Sequence, residues 1–225
     1  MSLKLYMHPI STVSRPVRLF IAEKKIPATE QVVDLMTGEQ HQPAYAAINP
    51  NKTVPALEDD DFRLSESSAI LKYLAARFDA PEYPKDVKER ARVDSVMDWF
   101  NTGFYTDFGY GMLYPQVFAH HRRPTDEQHA GTIAWGKERA RAWLGILNDS
   151  ILGENEYVAN NVISIADYFG VCLVTAGELV GCQFEGYPNV QRWIGNMKKL
   201  DSWGNINEVM YGFAGSMKGQ QFEHV

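Results

Sequence analysis

The sequence predicts an α/β domain followed by an all-helical one. Three observations carry that reading: strands and helices interleave up to residue 78, two prolines and little apolar content mark 79–84, and only helical periodicity recurs beyond. With 225 residues and 45% hydrophobic content, the chain can fill a core in each half. We therefore expect domains over 1–78 and 87–225, joined by a linker at 79–86.

Leu3, Leu5 and Met7 alternate with Lys4, Tyr6 and His8, the period of a strand with one buried face, and His8-Pro9 ends it. Ser11-Thr12-Val13-Ser14 offers hydroxyl caps to a helix over Arg15 to Glu23, in which Val17, Leu19, Phe20 and Ile21 form an apolar face. A second strand follows near Thr29 to Val33. Gly38 to Ile48 reads as a short irregular helix, closed before Asn49-Pro50 because a residue ahead of proline is driven out of helical geometry. Val54-Pro55 opens the apolar run to Leu57. Proline has no N–H for a sheet ladder and sits at a strand's start or edge, which leaves the backbone groups of Val54 available. Glu58 to Asp61 then reads as the acidic turn of a hairpin with Phe62-Arg63-Leu64. Ala69, Ile70, Tyr73, Leu74 and Phe78 recur at helical spacing behind Ser65, Glu66, Ser67 and Ser68.

In the second half, helix starts fall at Asp86, Thr125 and Ser164, each with an acidic or amide residue three positions on. Val93, Val96, Met97, Phe100 and Phe104 stripe the first helix, while Ile133, Ala140, Trp143, Leu144 and Leu147 stripe the second. The third, from Ile165, is apolar nearly all round and is expected at the domain's centre. Further helix is expected over Val190 to Leu200 and Asn205 to Tyr211, with a glycine-rich tail beyond. A dense aromatic run spans Trp99 to Tyr114, and Gly103, Gly109 and Gly111 are expected to interrupt its helix.

Charge and cysteine usage bound the function. A formal net charge of -6 argues against nucleic-acid or anionic-membrane partners, which require a basic face. His120-His121-Arg122-Arg123 is the one dense basic run and reads as a solvated loop. No secretory leader is visible, and the longest apolar run, Ala166 to Ala176, is too short to span a bilayer. Cys172 and Cys182 read as reduced thiols in a cytoplasmic protein, and no Cys-x-x-Cys precedes them. The histidines show no zinc-ligand spacing, so no metal is expected.

Several of these residues together resemble the cytosolic glutathione transferase family, serine type, theta-like or of a related bacterial class. Val54-Pro55 pairs with Glu66-Ser67 across one hairpin, Ser11 stands at the first strand-to-helix junction, and Val162-Ile163-Ser164-Ile165-Ala166-Asp167 leads into the central helix. The resemblance implies a thioredoxin-like first domain with a cis proline, an all-helical second domain, glutathione as co-substrate, a homodimer and a role in detoxification. It implies Ser11 as the partner of the glutathione thiol. Val54 would pair backbone to backbone with the cysteinyl residue, Glu66 and Ser67 would hold the γ-glutamyl end, and Gln40, His41 and Thr53 would lie at the glycyl carboxylate. The chain departs from the family at three places: lysine is common near Thr53, glycine where Lys52 stands, and glycine where Asn160 stands, asparagine being a residue type that tolerates a left-handed turn. Tyr6 is the rival to Ser11, since other classes use a tyrosine at the end of the first strand, but its alternation ties it to the strand interior. Ser11 to Ser14 also resembles the zeta-class isomerase motif, with Val13 where that motif has cysteine.

A helix-start hydroxyl suffices for the chemistry. An ordinary thiol ionises at about pH 8.5, leaving about 3% thiolate at pH 7. Lowering that pKa by about two units takes roughly 2.7 kcal/mol. One hydrogen bond to the anion supplies roughly 1.5 to 3 kcal/mol, and a helix N-terminus adds about 0.3 to 2. The expected reaction is thiolate attack on a small apolar electrophile held by Phe104, Phe108, Tyr110, Met112 and Phe213. Glutathione-dependent dehalogenation or ether cleavage is one alternative, and a non-catalytic ligand- or protein-binding module is another.

Overall fold

The computed structural model describes residues 3–225. Four strands, β1 (Leu3–Met7), β2 (Ala28–Val32), β3 (Ala56–Asp59) and β4 (Phe62–Ser65), form one sheet in the order β2-β1-β3-β4. β1 runs parallel to β2 and antiparallel to β3, with Leu5 opposite both Glu30 and Leu57. Asp59 faces Phe62 across the hairpin, so only Asp60 and Asp61 turn the chain. The acidic turn is therefore tighter than expected. Asp59 stays in the strand because its buried carboxylate accepts from the Tyr73 hydroxyl at 2.6 Å and pairs with Arg77 at 2.6 Å.

The alternation in β1 sorts its side chains to two faces. Leu3, Leu5 and Met7 join the main core with α1 (Ser14–Glu23) and α3 (Ser67–Arg77), while Tyr6 points the other way. There it packs with Val33, Tyr45, Val54 and Ala56 under the short α2 (Pro43–Ala46).

All further elements among the described residues are helical. α4 (Val87–Asp98) is capped by Asp86, whose carboxylate accepts from the Lys88 and Glu89 amides at 3.0 Å. It runs on through wide π-helical turns at Trp99–Phe104 and Thr106–Leu113 into α5 (Tyr114–Val117). The glycines expected to break this helix instead permit close approach. A Cβ on Gly103 would meet the Trp143 ring at 2.9 Å, and one on Gly111 would meet the Gly136 Cα at 3.1 Å. Both partners lie on α6 (Asp126–Ile146), which starts where the Thr125 hydroxyl accepts from the Gln128 amide at 3.2 Å.

α7 (Ile165–Thr175) is buried along its whole length. Its capping box is anchored by Asp167, which accepts from the Ser164 amide at 2.8 Å, the Ser164 hydroxyl at 2.9 Å and the Trp193 indole at 2.9 Å. α8 (Pro188–Met197) and α9 (Trp203–Ser216) close the domain. α9 continues past Tyr211 through Gly212 and Gly215, because Met210 and its neighbours still have a core to face. No helix among the described residues is long and apolar enough to cross a membrane.

Candidate active site

A cavity of about 290 Å³ opens between the sheet domain and the α4–α5 helix. The N-terminal approach to α1 forms one wall, through Ile10, Ser11, Thr12 and Val13. The Ser11 amide donates to the His8 carbonyl at 3.0 Å, turning the chain, and its Oγ accepts from the Ser14 amide at 3.2 Å. Acceptance of that bond leaves the hydroxyl proton free to be donated to a partner in the cavity. The first amides of the helix point the same way, so the spot favours negative charge.

The opposite wall is the loop before β3. The Val54-Pro55 peptide is cis. Thr53 is held by its carbonyl, which accepts from the Tyr45 hydroxyl at 2.6 Å and the Asn49 amide group at 2.7 Å. Val54, next along, makes no backbone hydrogen bond among the described residues, so its N–H and C=O form an unpaired peptide edge. Gln40 and Lys52 complete this side. The Gln40 Oε1 is buried without a partner, while its Nε2 lies 3.2 Å from the His41 ring. Unsatisfied buried acceptors are rare, which marks Gln40 as a group with capacity for a ligand.

The helical domain contributes Tyr105, Tyr110, Tyr114 and Phe118, with His120 and His121 beyond them. Burial pushes the Tyr114 hydroxyl up to about 12 and that of Tyr105 well above its ordinary value, so both are protonated donors at neutral pH. Burial, then the neighbouring His120 and Arg123 charges, lowers His121. His121 also lies edge-on to Tyr110, with ring centroids 5.5 Å apart. Of the basic run, His120 and His121 line the cavity, while Arg122 and Arg123 are exposed as expected of a solvated loop.

Ser11, Gln40, Thr53, Val54 and Tyr110 meet at this one cavity. Glu66 and Ser67 stand at the start of α3, outside its lining, and the Glu66 charge bears on Tyr110. His41 is exposed and off the wall. Phe104, Phe108 and Met112 are wholly buried in the core, where Phe104 and Phe108 stack at 4.8 Å. They cannot line a pocket. Phe213 lies one layer back, stacked on Phe118 with centroids 6.3 Å apart. Tyr6 is buried beneath Tyr45 and does not reach the cavity.

Sequence reasoning missed Phe118 and His121 as wall residues, and it placed Tyr105 and Tyr114 in the aromatic run without choosing them for the wall. The signal was present: Tyr110, Tyr114 and Phe118 fall four apart, one helix face, whereas Phe104, Phe108 and Met112 occupy the face two residues out of step. A larger hollow of about 490 Å³ is bordered by Glu178, Cys182 and Lys198, but Lys198 there is already paired to Glu178 at 2.7 Å. Among the described residues no His, Cys, Asp and Glu gather as a metal site.

The family model described as glutathione S-transferase, N-terminal domain, matches residues 5–82. The chain is 34% identical over 200 residues to human glutathione S-transferase theta-1, covering 86% of this chain and 81% of that protein. Among solved structures, the apo form of human glutathione S-transferase T1-1 superposes with a TM-score of 0.83 at 31% identity, over 95% of this chain and 91% of that one. A glutathione transferase homologue from Sulfitobacter with bound glutathione gives a TM-score of 0.79 at 26% identity, over 92% and 98%. Matching sequence over most of the length and matching fold agree: the chain belongs to the glutathione S-transferase family.

Proposed function

We propose that this enzyme conjugates glutathione to small apolar electrophiles, with Ser11 donating a hydrogen bond to the thiolate. The observation that carries the reading is the Ser11 hydroxyl itself, which accepts the Ser14 amide at the start of α1 and keeps its own proton for the cavity. Serine is far too weak a base to take the thiol proton, so its part is to stabilise the anion once water has taken that proton. The unpaired edge at Val54 supports β-strand-like pairing with the cysteinyl residue. Gln40, Thr53 and Lys52 supply the polar end for the glycyl carboxylate, with His41 behind Gln40. Glu66 and Ser67, at the N-terminus of α3, take the γ-glutamyl group. The electrophile then meets Tyr110, Tyr114 and Phe118 in place of the buried Phe104, Phe108 and Met112.

In this reading residues 1–78 bind glutathione, 79–86 link, and 87–225 supply the electrophile wall. A homodimer is part of the same reading, supported by the exposed Phe62, which leans on Tyr73 with ring centroids 5.1 Å apart. Two buried free cysteines suit a reducing, cytoplasmic setting.

Steady-state conjugation of benzyl chloride by Ser11→Ala tests the reading. We expect kcat to fall about 10²-fold while calorimetry still detects glutathione binding. Unaltered kcat would remove Ser11 from the mechanism, and no binding of glutathione by the parent protein at millimolar concentration would remove the function.

A further inference from the structure

β1 hands over to Ser11 through Pro9 and Ile10, and the amides of this turn all end on His8. The Ile10 amide donates to Nδ1 of the His8 ring at 3.3 Å, and the Ser11 amide donates to the His8 carbonyl at 3.0 Å. Pro9 has no N–H to give. Ile10 and Ser11 both line the cavity, so the half-buried His8 side chain, just past the end of β1, governs how the chain approaches the Ser11 hydroxyl.

A backbone amide donating to Nδ1 fixes the tautomer. Nδ1 holds its lone pair toward Ile10, and the single proton of the neutral ring sits on Nε2. A second proton has only Nδ1 to go to, where it would face the Ile10 N–H, donor against donor. The bond to Ile10 therefore exists only while the ring is neutral. An ordinary histidine changes charge near pH 6.5, within the range where enzymes work. Burial lowers His8 from that value; Asp34, past β2, pulls the other way, and Arg18 on α1 adds to the lowering. Arg18 is itself paired with Glu30 on β2, at 2.8 Å and 3.0 Å. At pH 7 the ring is neutral and the turn is closed. The contact is present above the ordinary value and is lost as pH falls through the lower folded one.

We propose that His8 is a positioning residue for Ser11: its imidazole holds the turn closed while Nδ1 is free and releases it when Nδ1 takes a proton. The proposal rests on the conjugation reading above and adds to it a second group that must be unprotonated. The first is the bound thiol, which must ionise before it attacks. With both required, log kcat falls on the acid side toward a slope of about two, where the thiol alone gives a slope of about one. Release of the turn removes at most the share of Ser11 itself, about 10²-fold.

The test is kcat on benzyl chloride at saturating glutathione, from about pH 8 down to about pH 5, in the parent, His8→Asn and His8→Ala. Asparagine offers an oxygen to the amide two residues on, as Nδ1 does here, and does not titrate. We expect the steep acid limb in the parent and a slope of about one in His8→Asn. At pH 8, kcat should fall about tenfold in His8→Ala, the cost of a misplaced donor, and His8→Asn should recover most of it. A parent slope of about one, equal to that of His8→Asn, overturns the proposal. Should the variants fail to fold, NMR on the parent decides: the Ile10 amide should shift with the same midpoint as the C2 proton of the His8 ring. An Ile10 amide indifferent to that titration overturns the proposal too. A parent that conjugates nothing at any pH sinks the conjugation reading, and the amide titration still judges the turn by itself.

Discussion

The Arg15 guanidinium donates to the Asn207 side-chain oxygen at 2.6 Å, tying the first turn of α1 to α9 across the boundary between the domains. Its other nitrogen donates to the Cys172 carbonyl in the last turn of α7 at 2.8 Å, where the helix dipole is negative. A buried cation is tolerable only while such acceptors surround it.

Asn207→Leu keeps the side chain's branching and heavy-atom count and removes one acceptor. We expect a loss of about 2 kcal/mol, the worth of a hydrogen bond to a charged group. Urea unfolding measures it, and a loss near zero would show that the guanidinium is satisfied without α9.

Asp167 makes folding stability depend on pH. Burial raises its carboxyl to about 6, against the lowering pull of the Val158, Ser164 and Trp193 donors. The folded state therefore binds a proton more tightly than the unfolded state does. Its contribution is fully present below the ordinary value near 3.8 and is lost as pH rises through about 6. We expect unfolding free energy to drop by roughly 3 kcal/mol between those limits, with no further change from this group above them. Unfolding titrations on the parent and on Asp167→Asn check the assignment: the slope should vanish in the variant, and its persistence would place the titration elsewhere.

Much of this arrangement is legible from the chain, and the failures have physical causes. Pro55, Asp86, Thr125 and Ser164 act locally, through a missing N–H or a side-chain cap, so their consequences can be read from a few neighbours. Gly111 and Gly136 act on each other across two helices, and only packing reveals that their small size serves contact instead of a break. The pocket wall failed for a related reason. The aromatic run supplies two faces, and hydrophobicity alone does not say which is wet. The hydroxyls do: Tyr105, Tyr110 and Tyr114 line the cavity, while Phe104 and Phe108 fill the core.

Glu66 precedes α3 with φ of +69°, a conformation that disfavours side chains, yet its carbonyl still accepts from the Ile70 amide at 2.9 Å. Such backbone strain costs of order 1 kcal/mol or more. Glycine relieves it, offset by about 0.5 to 1 kcal/mol of extra chain entropy. For Glu66→Gly we expect undiminished stability together with a KM for glutathione raised about tenfold, the loss of one charged contact. Reduced stability with an unaltered KM would assign Glu66 to the helix start alone.

Two glycines on α6 separate packing from propensity within one helix. A Cβ added at Gly136 would come within 2.4 Å of the Gly111 carbonyl carbon and 2.6 Å of the Met112 amide, both backbone atoms that cannot swing aside. The π-helical segment must then move off α6, and overpacking of that kind costs about 1 to 3 kcal/mol. A Cβ at Gly131 would meet nothing within 4 Å. There the substitution only restricts the unfolded chain and favours helix, a gain of about 0.8 to 1 kcal/mol. Gly136→Ala should therefore lower the unfolding free energy and Gly131→Ala raise it, both read from urea titrations. Because the π-helical segment also presents Tyr110, with Tyr105 just ahead of it, Gly136→Ala should change kcat as well, whereas Gly131→Ala should not. Equal shifts in the two variants would mean that helix propensity, not the contact with Gly111, governs this part of the fold.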